Sequence, residues 1–117
     1  MITILQVGYD KLLLQTRALL LGRRGYRVIS ALGNGSGFAL ANAERIDLVL
    51  IGYSAPTGIR ENAANHFKDH FPQIPVVALC SNSSQAGLAY ADYSSSVDDA
   101  EEWLNIIAKA ALQPVHL

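Results

Sequence analysis

The sequence predicts an α/β domain in which helices cover a parallel sheet. Three features carry that expectation: strand-like apolar runs alternate with helical segments, three of those runs are nearly continuous Val, Ile and Leu, and glycine or proline signals fall between them. The runs are Ile2–Val7, Tyr26–Ala31, Asp47–Ile51, Pro75–Leu79 and a weak fifth near Ala91–Ser94. A strand buried on both faces loses the polar alternation of a half-exposed one, so continuous apolar runs point to a sheet covered on both sides.

Asp10, just after the first run, reads as the N-cap of helix one, and the sequence Arg23, Arg24, Gly25 closes that helix with cations and a glycine. Asn34, Gly35, Ser36 and Gly37 form a turn cluster ahead of a second helix over Phe38–Glu44, and Pro56, Thr57 and Gly58 precede a third that runs to about Asp69. After Cys80 the short stretch with Asn82, Ser83, Ser84 and Gly87 is near the lower limit of ~10–12 residues for a crossover with its helix, so the fourth helix is expected to be shortened to a turn or loop. Asp98 and Asp99 open the last helix, Lys109 lies near its end and Pro114 stops it. Residues 1–112 thus read as one domain and 113–117 as a C-terminal tail.

The 117 residues suffice for one core, and with 50% apolar and 16% charged residues the chain sits among compact globular proteins. A net charge of −1 offers no field for a phosphate backbone or an acidic membrane, so neither nucleic acid nor membrane is an expected partner. The single cysteine, Cys80, has no intrachain disulfide partner, no leader-like segment precedes the first run, and no apolar stretch approaches the ~20 residues of a membrane span, so a cytoplasmic protein is expected.

These landmarks, in this order and at these separations, resemble the receiver domains of bacterial response regulators over essentially the whole chain. Ile4–Asp10 sits where receivers carry a strand ending in acids. Gly25, Tyr26 and Val28 match a Gly-Tyr-x-Val pattern, Asp47–Ile51 with Pro56 match the third strand and its proline, and Pro75–Leu79, Ala91–Tyr93 and Asp99–Trp103 match the remaining elements. The resemblance implies a flavodoxin-like three-layer sandwich with a five-stranded parallel sheet of order 2-1-3-4-5 and a site at the carboxyl ends of strands one and three.

In receivers, acids after strand one hold Mg²⁺, an aspartate after strand three accepts the phosphoryl group, and a hydroxyl and a lysine at the ends of strands four and five contact its oxygens. The positions matching them here are Gly8 and Tyr9, Gly52, Cys80 and Ser96, with Asp10 alone left from the acidic group. The motifs Gly8-Tyr9-Asp10, Ser30-Ala31-Leu32-Gly33 and Ile51-Gly52-Tyr53-Ser54-Ala55-Pro56 are similar to those of atypical, stand-alone receivers that lack the acceptor. No catalytic residue, metal or cofactor is expected. Tyr9 and Tyr53, with Ser54 beside them, bracket the vacated pocket and either fill it or stack on a small ligand, and filling is the commoner outcome in a dense interior. A carboxylate introduced at position 52 is expected to meet no neighbouring cation.

Other candidates have plainer readings. Cys80 reads as a small buried hydrophobe, His66 and His70 as a solvated helix face without a third metal ligand, and Arg23, Arg24 and Arg27 as charges complementing a helix end. The glycines Gly33, Gly35 and Gly37 follow the second strand, whereas a dinucleotide fingerprint follows the first. Helix one carries Leu12-Leu13-Leu14 and Leu19-Leu20-Leu21, and each triplet sweeps ~200° of surface, so Leu14 and Leu19 are expected to supply an exposed apolar face for homodimerisation. The expected function is a phosphorylation-independent receiver-like module that contacts another signalling protein in a two-component-type pathway. The alternative is a small-molecule sensor that uses the vacated pocket.

Overall fold

A computed structural model of the chain describes residues 1–81 and 88–112. In chain order the elements are β1 (Thr3–Gly8), α1 (Lys11–Arg23), β2 (Arg27–Leu32), α2 (Asn34–Ala43), β3 (Leu48–Ile51), α3 (Thr57–His70), β4 (Val76–Cys80), β5 (Tyr93–Ser96) and α4 (Ala100–Leu112). The five strands form one parallel sheet of order β2-β1-β3-β4-β5, the doubly wound arrangement expected. Successive side chains of a strand point to opposite faces, so Leu5 and Val7 join a core under α2 and α3 while Ile4 joins a second core under α1 and α4.

Local chemistry sets the helix ends. Asp10 Oδ1 accepts from the Leu13 backbone N–H at 3.1 Å, which makes it the N-cap of α1, and Gly25 takes φ +89°, the left-handed conformation that ends a helix. Asp99 Oδ1 accepts from the Glu101 N–H at 3.0 Å at the start of α4, whose buried residues Trp103, Leu104, Ile107 and Ala110 form its core stripe. Lys68 Nζ ties the end of α3 to the chain before β5 by pairing with Asp92 at 2.9 Å while donating to the Pro72 and Ile74 carbonyls.

Several expectations shift. The turn cluster at Asn34–Gly37 is the first turn of α2, with Gly33 at φ +91° as the residue before it. Gly37 is inside the helix because α2 approaches β1 closely: a Cβ there would lie 2.7 Å from Val7 Cγ2. The fifth strand lies at Tyr93–Ser96, two residues beyond the expected run, since parallel pairing with Val77–Cys80 and not apolarity defines it. Leu14 is a correction. It is 5% exposed and packed onto Gly8, so only Leu12 and Leu19, at 70% and 65% exposure, present apolar surface from α1. The shortened fourth helix is expected on Ser81–Gly87, of which residues 82–87 lie outside the described residues; the flank at 88–92 holds a turn in which the Ala91 N–H donates to the Leu88 carbonyl.

Candidate functional site

The carboxyl ends of β1, β3, β4 and β5 bring together the positions singled out in the sequence. Gly8 ends β1, Gly52 follows β3, and Cys80 and Ser96 end β4 and β5 in register with each other. The Gly52 N–H donates to the Val7 carbonyl at 2.8 Å, which continues the β1–β3 ladder into the site. Cys80 is buried, as a small hydrophobe at a strand end should be. The Ser96 hydroxyl accepts from the Asp98 N–H at 3.1 Å and so holds the turn into α4.

The tyrosines diverge across the sheet. Tyr9 packs on the α2/α3 core and its hydroxyl donates to Asn34 Oδ1 at 2.7 Å, whereas Tyr53 packs on the α1/α4 core; Ser54 is exposed in the bend between. Burial pushes the Tyr9 phenol up to about 12, against the opposing pull of the Arg60 guanidinium. Asp10 is spent on its helix cap.

The space beside Gly8 and Gly52 is taken by arginine. Arg17 of α1 is 5% exposed, and its Nη2 lies 2.9 Å from a Cβ built on Gly52 and 3.1 Å from one built on Gly8. Its Nε donates to Gln6 Oε1 at 3.3 Å, and the Gln6 amide donates to the Leu14 carbonyl and Ser30 Oγ, each at 2.8 Å. Arg60 of α3 is 0% exposed and reaches the strand ends from the other side: its Nε donates to the Gly52 carbonyl at 2.8 Å and its Nη2 to the Leu79 carbonyl. Arg60 Nη1 is buried without a partner. Burial holds the Arg17 guanidinium below the ordinary arginine range, with Tyr53 and Asp10 acting in the opposite direction.

This overturns the expectation that a side chain at position 52 would meet no cation: a guanidinium sits where that side chain would begin. The donor set does not fit Mg²⁺, which wants several oxygen ligands, because Gly8, Tyr9 and Gly52 offer no carboxylate and a resident cation covers both glycines. Sequence reasoning missed Gln6, Arg17 and Arg60. The signal was there: Arg17 lies three residues after Leu14 and four before Leu21, and Arg60 lies three, four and seven before Ala63, Ala64 and Phe67, so each arginine sits in its helix's buried stripe.

Elsewhere, His70 is exposed and His66 half-buried on the face of α3. Their rings stack with centroids 4.1 Å apart, and Phe38 stacks on His66 at 3.7 Å. No cluster of potential metal ligands occurs among the described residues. Arg24 pairs with Glu101 at 2.7 Å and Arg27 with Glu44 at 3.5 Å on the surface. Among the described residues no helix is long and apolar enough to cross a membrane.

No family model and no curated relative matches the sequence. Solved structures do match the fold. The response regulator protein TrrA from Thermotoga maritima, in complex with Mg²⁺-BeF, superposes with a TM-score of 0.82 at 17% identity, over 95% of this chain and 99% of that one. A response regulator receiver domain protein from Clostridium thermocellum gives 0.82 at 21% identity over 96% and 95% of the two chains. The chemotaxis response regulator CheY4 of Vibrio cholerae gives 0.81 at 19% over 94% and 98%. A further match is the crystal structure of the histidine kinase ThkA in complex with TrrA, with a TM-score of 0.83. The chain therefore has the fold of CheY-like response regulator receiver domains, with two buried arginines at the end of the sheet where those domains carry their site.

Proposed function

We propose that the chain is a non-enzymatic, phosphorylation-independent receiver-like module that acts through contact with another signalling protein of a bacterial two-component-type pathway. The observation that carries this reading is the 2.9 Å approach of Arg17 Nη2 to a Cβ built on Gly52. The acceptor is a glycine, and the space an acceptor would use is held by a cation. A structural neighbour that is complexed with a histidine kinase supports the class of partner. Incubation with acetyl phosphate and Mg²⁺, followed by intact-mass spectrometry, tests the reading: an unchanged mass is expected, and a stoichiometric phosphoryl adduct on an aspartate near Gly52 would overturn it.

Self-association, where it occurs, uses α1. Leu12 and Leu19 are seven residues apart on one helix face and are exposed. A dimer in sedimentation that survives the double substitution Leu12→Lys and Leu19→Lys would remove this interface.

A second reading, ligand sensing at the pocket formed by the strand ends, is favoured by a separate observation: among the described residues no ion pair joins Arg17 or Arg60 to a carboxylate.

A further inference from the structure

We propose that the cavity between the C-terminal ends of α2 and α3 is a binding site for a small apolar monocarboxylic acid, a single ring with a short acid chain. The cavity lies at the start of β3, the opposite end of that strand from Gly52, and owes nothing to the chemistry of the strand ends.

The apolar wall consists of Ala41, Ile46, Val49, Phe67, Phe71 and Ile74, around a volume of about 230 Å³. Protein interiors pack densely, and an apolar void of ~150 Å³ already holds benzene, so this one holds a ring with room for a short chain. Within α2 only the methyl of Ala41 reaches the cavity, which leaves its volume unfilled. The far wall is held in place by the chain itself. The Phe71 N–H donates to the Phe67 carbonyl at 2.8 Å, the Ile74 N–H donates to the Phe71 carbonyl at 3.0 Å, and Lys68 Nζ donates to the Pro72 and Ile74 carbonyls. A preformed wall spares a ligand the entropy of ordering it. The Phe67 and Phe71 rings have centroids 6.4 Å apart, within the range of ~4.5–7 Å in which aromatic rings attract, so a third ring extends an existing pair.

The charge of the ligand follows from the rim, which is formed by Glu44 and Arg45. Glu44 Oε1 faces Arg27 Nη2 at 3.5 Å, and the next carboxylate along the chain, Asp47, accepts the Thr3 N–H through Oδ2 at 2.8 Å. Among the described residues no ion pair involves Arg45, which is exposed. Arg27, Glu44 and Arg45 together set two cations against one anion, so the rim is positive. An arginine lays its aliphatic stem along apolar surface and keeps its head in water, which is how an exposed residue also lines a cavity. Its planar guanidinium binds a carboxylate through two parallel hydrogen bonds. The fitting ligand therefore has an apolar body inside and one carboxylate at the mouth. A free acid suits the site better than a protein chain terminus, because one ring and its acid chain use up the volume.

The test titrates the full chain with phenylacetate and, separately, with its neutral isostere phenylacetamide, and follows backbone amides by ¹⁵N NMR. Saturable shifts are expected at Ala41, Ile46, Val49, Phe71 and Ile74, with the amide binding about threefold or more weakly than the acid because it forgoes the ion pair. Arg45→Gln should lower phenylacetate to the affinity of phenylacetamide and leave phenylacetamide unchanged. Ala41→Leu should fill the cavity and abolish binding of both. Should Ala41→Leu fail to fold, the wild-type titrations and Arg45→Gln, a substitution at an exposed position, decide the matter. Shifts that do not saturate or that centre elsewhere, equal affinity for acid and amide, or binding retained in a folded Ala41→Leu variant would overturn the site. Tighter binding of acetyl-glycyl-phenylalanine than of phenylacetate would overturn the assignment to a free acid in favour of a chain terminus.

Discussion

Placing a carboxylate at position 52 tests whether Arg17 truly controls this site. In the Gly52→Asp variant the new Cβ meets Arg17 Nη2 at 2.9 Å, Nη1 at 3.4 Å and Cζ at 3.5 Å, so the guanidinium moves by a few tenths of an ångström and the carboxylate docks against it. The atoms in the way are the far end of a flexible side chain, which makes that movement cheap. The guanidinium is already desolvated, so the pair forms in a medium where an aspartate beside an arginine is held well below its ordinary value. That depression is worth about 1.4–4 kcal/mol of pH-dependent stability, at 1.4 kcal/mol for each tenfold change in proton affinity. The sign follows from linkage. A depressed folded-state value contributes stability above the unfolded value of about 3.9 and loses it as pH falls through the folded value. Urea denaturation at neutral and at acid pH measures it: the variant should lose about 1.4–4 kcal/mol more than the parent on acidification, and Gly52→Asp combined with Arg17→Gln should abolish that excess. Acetyl phosphate and beryllofluoride should still leave the variant unchanged, because its carboxylate is engaged and Gly8 and Tyr9 add no second acid. Acid sensitivity equal to that of the parent, or a carboxyl group that destabilises the fold as pH rises, would refute the argument.

Other consequences follow from the same contacts. Gly8→Ala should destabilise by about 1–3 kcal/mol by overpacking, since its Cβ would meet Leu14 Cδ2 at 2.5 Å, while Gly22→Ala, with nothing within 4 Å, should stabilise by about 0.5–1 kcal/mol in thermal melts. Asp10→Ala removes the cap on the Leu13 N–H and should cost about 0.5–2 kcal/mol by the same assay. Burial, with His70 beside it, holds His66 below the ordinary histidine range, and its Nε2 is buried without a partner. The folded protein therefore binds fewer protons than the unfolded chain as pH drops below about 6.5, stability falls in that window, and His66→Phe should flatten the fall in urea midpoints.

Much of this architecture is written in local chemistry. Asp10 as a cap, Gly25 as a helix end and the acids before α4 act within a few residues, so sequence neighbours suffice to read them. The apolar runs mark β1 to β4 to within a residue, and β1, β3 and β4 are buried along their whole length while the edge strand β2 is largely uncovered. The site is half legible: Gly8, Gly52 and Cys80 lie at the carboxyl ends of the strands, where the spacing puts them. The arginines that pack beside them are not. An arginine on a helix is ordinarily solvated, and Arg17 and Arg60 are buried only because the sheet brings Gly8, Gly52 and the Leu79 carbonyl together and leaves a side-chain volume there to fill. Leu14 is buried against the sequence expectation for the same reason, since its pocket is the absent side chain of Gly8 across the α1–β1 contact. Local propensity is set by residues close in sequence, whereas burial is set by what the fold places opposite, and two glycines far apart in the chain became one cavity only when β1 paired with β3.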